Sequence, residues 1–208
     1  MSPSRSFAPA ALALVALLSL NGCISVLPKA KPAQLYRFGA PEAAAAPAPA
    51  ASGAVMMAEG PVNFDAAAST DRILTVDGQS AAYIEGARWI APAPVLFQEA
   101  LTRAFQAPGA PGMAGRGAAG HPPPFVLMLD VQTFEARYDQ GADAAPQATV
   151  QIHAQLIRAD TRAIVADQQI TGAARAADNR IGPIVAAYDA AVKDALGKLV
   201  TWTGQTAR

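Results

Sequence analysis

Few residues in this chain could carry chemistry, and their spacing argues against most of it. There are two histidines and one cysteine among 208 residues. Two imidazoles without thiols do not make the usual zinc site, although carboxylates could assist. His121 precedes three prolines in a Gly/Pro-rich stretch, and His153 falls on the polar side of an alternating run. Both read as solvated or edge histidines. Asp130 and Glu135 share one predicted strand, where an odd spacing sets them on opposite faces, poorly placed as an acid–base pair. Gly109, Gly112, Gly115, Gly117 and Gly120 lack the preceding strand and the Lys-Ser/Thr of a phosphate cradle. No Gly-x-Ser-x-Gly elbow occurs. These patterns point away from an enzyme and leave recognition chemistry. Tyr83, Arg88 and Trp89 stand between a predicted strand and a Pro-marked helix start, and could form a partner-facing patch. The alternative is a buried tryptophan with its arginine paired locally. Asn179 and Arg180, at the start of the last helix, carry the same ambiguity.

The remaining reactive group is Cys23. It ends Leu20-Asn21-Gly22-Cys23, directly after an apolar run from Ala8 to Leu20, and Arg5 precedes that run. A basic n-region, an apolar h-region and a small residue at the cut mark a secretory signal. The run is about thirteen residues, too short for the roughly 20 that span a bilayer. A cysteine immediately after the cut resembles the lipobox of bacterial lipoproteins, in which the thiol becomes a thioether to diacylglycerol and the freed amine is acylated. Several acyl chains hold where one does not. Ile24 follows, and it is not the aspartate associated with inner-membrane retention. The resemblance therefore implies the inner leaflet of the outer membrane, facing the periplasm.

The elements that must follow are legible in outline. Removing 22 leader residues and Arg5 from 208 residues and 16 basic groups leaves 186 and 15, against 16 acidic groups. That length supports one domain, and the near-neutral balance offers no electrostatic footprint for nucleic acid. With Cys23 acylated no disulfide can form, so burial must supply the stability. Residues 23–33 read as a tether and 34–203 as the domain, with 204–208 a tail. Ala/Pro-rich 41–53 and Gly/Pro-rich 108–124 read as flexible insertions. Strands are expected at 34–38, at 54–58 before Gly60-Pro61, and at 72–76 and 80–85 about an Asp77-Gly78 turn. Phe125–Leu129, unbroken and apolar, reads as covered on both faces. With 148–158 and 163–171, where Ile164, Ala166 and Ile170 would share a face, it should form an antiparallel meander. Helices are expected at 94–106, with Phe97, Leu101 and Phe105 on one stripe, and at 180–202, capped by Asn179 and ended by Gly204. Asp189 with Lys193, and Asp194 with Lys198, should pair at i,i+4.

One ordered set of segments carries a family resemblance. The lipobox is followed by Gln34-Leu35-Tyr36-Arg37-Phe38, Asp71-Arg72-Ile73-Leu74, and Tyr83 through Arg88-Trp89. Then come Leu129-Asp130-Val131-Gln132-Thr133-Phe134-Glu135, Leu156-Ile157-Arg158, and Asn179-Arg180 with the helix to Trp202. This order resembles the auxiliary lipoproteins of ABC-type transporters, such as the paraquat-inducible protein C type, over most of residues 34–202. The resemblance implies an α/β (α+β) three-layer sandwich with a mixed, mostly antiparallel sheet and two main helices, similar to the TolB amino-terminal/anticodon-binding-like fold. It implies a non-catalytic docking subunit for an MCE-domain (mammalian cell entry) protein and, through it, an ABC permease and ATPase that move lipid between membranes. No cofactor beyond the lipid on Cys23 is implied. The alternatives are a lipoprotein that binds a small lipid-like ligand beneath the helices, and an envelope assembly factor.

Overall fold

The longest strand, β6 (Phe125–Arg137), organises the sheet of a computed structural model that describes residues 32–39, 57–114 and 122–207. The expectations for Cys23, the leader, 41–53 and His121 lie outside the described residues. One edge of β6 is occupied along its whole length by β7 (Gln147–Arg158), antiparallel from Phe125↔Arg158 to Arg137↔Gln147. β8 (Ile164–Arg175) pairs antiparallel with the far side of β7, completing the expected meander. The other edge of β6 is shared. β2 (Met57–Phe64) runs parallel beside Phe125–Val131, and β3 (Arg72–Asp77) runs parallel beside Ala136–Arg137. Between them the chain steps out and back, held by an Asx turn from Ala67 N–H to Asp65 Oδ1 at 2.9 Å. β4 (Ser80–Trp89) returns antiparallel to β3 through Gly78, whose φ of 57° suits a tight turn. β1 (Gln34–Tyr36) lies parallel outside β4, and β5 (Met113–Ala114) lies parallel outside β2.

Two helices cover this sheet. α1 spans Ala93–Phe105 and α2 spans Ile181–Thr206. Their places are fixed by aromatic packing. Phe97 of α1 stands edge-on to Phe64 with centroids 5.4 Å apart, Phe64 meets Phe134 at 5.6 Å, and Phe134 meets Tyr188 of α2 at 5.1 Å. Phe38 and Trp89 close the cluster at 5.0 Å from one another, with Trp89 5.3 Å from Tyr188. The Tyr188 hydroxyl donates to Leu74 O at 2.5 Å, so this buried polar tip has a partner. Both helices thus lie on one face. The expected α+β class holds, with a mixed sheet, long antiparallel ladders and two main helices.

Several local readings need correction, each for a physical reason. β2 does not stop at Gly60-Pro61. Its pairing jumps from Glu59↔Leu127 to Val62↔Leu129, a bulge that admits a proline without a ladder N–H. The first turn of β6 is covered on one side only: Phe125, Leu127 and Leu129 are buried, while Val126 and Met128 are half-buried. A second bulge between Val131 and Thr133 reverses the parity of β6. Phe134 and Ala136 therefore stay on the helix face, and Asp130 and Glu135 share the other face rather than opposing ones. β8 also slips register, at Ile157↔Ile164, so Ile164 is turned out at 58 % exposure while Ile170 is buried. The 108–124 insertion is held in part, since Met57 N–H donates to Gly112 O at 2.8 Å ahead of β5.

The last helix shows why alanine obscures periodicity. Ile184, Tyr188, Val192, Leu196 and Leu199 form the large apolar row, and Ala187, Ala191 and Ala195 form a second buried row beside it. The small row lets the helix backbone approach β8. A Cβ at Gly172 would lie 2.1 Å from Ala191 O and 2.6 Å from Ala195 N. α2 begins one residue later than predicted, with Arg180 rather than Asn179 at the N-cap position and no side-chain cap. It also runs through Gly204 to Thr206. Asp189–Lys193 and Asp194–Lys198 pair at 3.0 and 2.8 Å, as the spacing predicts. Two substitutions test this packing by denaturant unfolding, with a third at a turn as the control. Trp89→Ala, at a 2 % exposed site, should cost about 3–5 kcal/mol. Gly172→Ala should cost about 1–3 kcal/mol or more through the clash with α2, whereas Gly78→Asn should be nearly neutral.

Candidate functional site

The residues singled out for recognition separate in the structure. Trp89 points into the core. Arg88, one residue earlier on the strand, points outward and donates to both Asp71 carboxylate oxygens at 2.9 and 3.0 Å. Tyr83 is half-buried. Its hydroxyl donates to Ala67 O at 3.0 Å, and the Arg72 guanidinium lies 3.8 Å over its ring. The trio therefore forms no continuous patch: one member is core and two brace the β3–β4 ribbon. An irregularity in β4, with Gly86 at φ 71°, separates Tyr83 from Arg88.

Asn179 and Arg180 also act locally. Asn179 Oδ1 accepts from the Tyr138 hydroxyl at 2.7 Å, and its Nδ2 donates to Ala142 O at 3.1 Å. This pins the β6–β7 loop to the start of α2. Arg180 pairs with Asp178 and lowers the Asp178 carboxyl pKa, chiefly through the hydrogen bond. Arg175 does the same for Asp139, with Nη1 and Nη2 at 2.9 and 2.6 Å from its two oxygens. Partial burial and the Asp77 charge raise the Tyr138 pKa, which keeps the phenol protonated as a donor.

Among the described residues, the other groups singled out for chemistry stand apart. Asp130 and Glu135 share a face but stand roughly 13 Å apart along the strand, beyond the span of paired catalytic carboxylates. Glu135 is held by Arg137, with Nε at 2.9 Å. His153 Nε2 lies 3.4 Å from Asp167 Oδ2 on the open face of the sheet. Among the described residues no cluster of three or more His, Cys, Asp or Glu side chains could hold a metal ion.

Two surface features were not readable from the sequence. A groove of about 820 Å³ opens between the free edge of β8 and α2, lined by Gln168, Thr171, Lys198, Thr201, Trp202 and Gln205. It lies at the sheet edge and not beneath the helices. Two outward carbonyls of that edge are already occupied, Thr171 O by Lys198 Nζ at 2.8 Å and Gln169 O by the Gln168 amide at 3.1 Å. Side chains that reach over an edge guard it against stray strand pairing. The second feature is the β7–β8 hairpin tip, where Ile164 and Val165 are 58 % and 43 % exposed. The alternation of 163–171 pointed Ile164 inward, and only the bulge turns it out.

The comparisons with known proteins agree with this architecture. No curated protein matches the chain. The crystal structure of protein XCC0632 from Xanthomonas campestris superposes with a TM-score of 0.69 at 23 % identity, covering 84 % of this chain and 96 % of that one. The hypothetical protein CT253 from Chlamydia trachomatis superposes with a TM-score of 0.54 at 8 % identity, over 74 % and 98 %. At these identities the likeness establishes the fold alone.

A pH series tests the loop clamp. The folded Asp139 and Asp178 pKa values are depressed, so their contribution to stability is complete above the ordinary carboxylate pKa, near 4, and is lost as pH falls through the depressed folded values. The melting temperature should decline below about pH 4, and less steeply in Asp139→Asn; an identical acid limb in that variant would show that the pair contributes nothing.

The family model described as the ABC-type transport auxiliary lipoprotein component matches residues 36–199, from the last residue of β1 to the penultimate turns of α2. On that match, which spans well over half of the chain, the chain belongs to the ABC-type transport auxiliary lipoprotein family.

Proposed function

We propose that this chain is a non-catalytic docking subunit of an ABC-type intermembrane lipid transport system, held by an acylated Cys23 at the inner leaflet of the outer membrane. In this reading its direct partner is a periplasmic MCE-domain subunit, which connects it to the permease and the ATPase. The observation that carries the reading is the family match over residues 36–199, because it covers the sheet and both helices together. Membership implies association with an ABC transporter and a place in the cell envelope. The lipobox pattern at Leu20–Cys23 supports the anchor, and Ile24 supports the outer membrane. No described helix is long and apolar enough to cross a membrane, so an acyl anchor would be the attachment for this part of the chain. The chemistry supports docking: among the described residues the histidine and carboxylate groups are dispersed, and the core is filled by interlocking rings.

The test is affinity capture of the full-length, Cys23-anchored protein from detergent-solubilised envelopes. It should recover an MCE-domain subunit with permease and ATPase. Recovery of none of these components from envelopes that contain them would contradict the reading.

A further inference from the structure

We propose that the groove between the free edge of β8 and the C-terminal half of α2 binds a neutral oligosaccharide. The site is additional to transporter docking and does not depend on it. Its shape follows from the helix packing. α2 meets β8 backbone to backbone where Gly172 faces Ala191 and Ala195. Beyond that crossing a wedge of about 820 Å³ opens, with Gln168–Thr171 on the strand side and Gly197–Gln205 on the helix side. That volume is in the range of small-molecule sites.

Gly197 is the second observation. It lies inside the 26-residue α2, where glycine is less favourable than any residue except proline. Gly172 is explained by the helix backbone pressed against it. Gly197 has no such reason: a Cβ there would meet nothing within 4 Å, and its φ is not positive. The missing side chain leaves helix backbone bare on the groove wall, beside Lys198 and Thr201. A ligand that lies close against the backbone accounts for a glycine that the fold does not require.

The lining names the class of ligand. Trp202 brings an aromatic surface to the groove, half-buried against the core. The amides of Gln168 and Gln205 and the hydroxyls of Thr171 and Thr201 stand around it, all on exposed residues. Amides and hydroxyls both donate and accept, as the hydroxyls of a sugar ring require, and the C–H face of a pyranose packs on an aromatic plane. The charges are balanced locally, Lys198 by Asp194 at 2.8 Å and Lys193 by Asp189 at 3.0 Å, which selects against an anion. Ile170 is the aliphatic side chain of the lining and is only 4 % exposed, so there is no trough for an acyl chain. Lys198 and the Gln168 amide already bond two outward carbonyls of β8, which disfavours an added peptide strand.

The experiment titrates three tetrasaccharides into the full-length, acylated protein, held in a detergent without a sugar head group. They are β-1,4-linked N-acetylglucosamine, β-1,4-linked glucose and α-1,4-linked glucose. Tryptophan fluorescence reports on Trp202, because Trp89 is 2 % exposed. At least one sugar should bind saturably with a Kd of about 1 mM or tighter. Gly197→Gln puts a helix-favouring side chain into the groove. It should weaken that binding at least tenfold while the melting temperature holds or rises. Gly78→Asn, at a turn outside the groove, should bind as the unsubstituted chain does. No saturable binding of any of the three up to about 10 mM would overturn the proposal. Binding that Gly197→Gln leaves unchanged would overturn it too. A fluorescence response to dihexanoylphosphatidylglycerol and to none of the sugars would overturn it in favour of a lipid head group. Self-association in sedimentation that Gly197→Gln abolishes, without sugar binding, would overturn it in favour of a second copy.

Discussion

The rest of this structure depends on one packed knot of rings, Phe38, Phe64, Trp89, Phe97, Phe134 and Tyr188. Each ring comes from a different element or its immediate continuation, so the knot joins the strands of the divided edge of β6 to both helices. The constraint is geometric. β6 has a full-length partner on one side and two short parallel partners on the other, which leaves β3 with only two register pairs to β6. The ribbon of β3 and β4 must therefore be held by something besides its ladder. Trp89 supplies that contact from the end of β4, and Tyr188 supplies it by donating to Leu74 O. Burying the Tyr188 hydroxyl raises its pKa well above the ordinary value, and the nearby Glu135 charge adds to the shift. That direction keeps the phenol protonated, and so a donor, at neutral pH. Phe38 extends the same device to β1. Beyond it, Gly39 is held at both ends: its N–H donates to Asp189 Oδ1 at 2.6 Å, and its carbonyl accepts from Arg103. Gly39, three residues past β1, is thereby fixed to both helices.

The meander was legible because Val150, Ile152, Ala154 and Leu156 alternate without interruption, and a half-buried strand demands that period. The amphipathic helices were legible for the same reason, and the i,i+4 ion pairs of α2 formed as spaced. What the sequence concealed follows a pattern. Three of the misread strand positions lie where one extra residue changes parity: Gln132 in β6, Val165 in β8, and Gly60-Pro61 in β2. A bulge exchanges faces for everything beyond it, and no single residue announces one. That is why Ile164 read as core and Asp130 and Glu135 as opposed. The alanine row of α2 was hidden differently. Alanine is permitted anywhere in a helix, and only Gly172 on the facing strand hints that backbone must approach backbone there. Trp89 stayed ambiguous because a large aromatic beside an arginine fits an exposed hot spot and a core anchor equally well until its neighbours are known.

Local pairing also accounts for most of the charged side chains singled out above. Ionisable side chains are spent on local braces, such as Arg88 on Asp71, Arg175 on Asp139 and Arg180 on Asp178, all at exposed sites where such pairs contribute modestly to stability. They set loop positions more than they hold the fold. The free edge of β8 is covered by Lys198 and Gln168, so the sheet does not advertise itself for indiscriminate strand addition.

The claim on which this account turns is that such a module is fastened to a membrane by the sulfur of Cys23. Intact-mass spectrometry of the full-length gene product extracted from cell envelopes measures this directly. The account predicts a chain that begins at Cys23 and carries diacylglycerol on the thiol, with an additional acyl group on the amine. A chain that retains Met1–Gly22, or one cleaved there with an unmodified thiol, would contradict it.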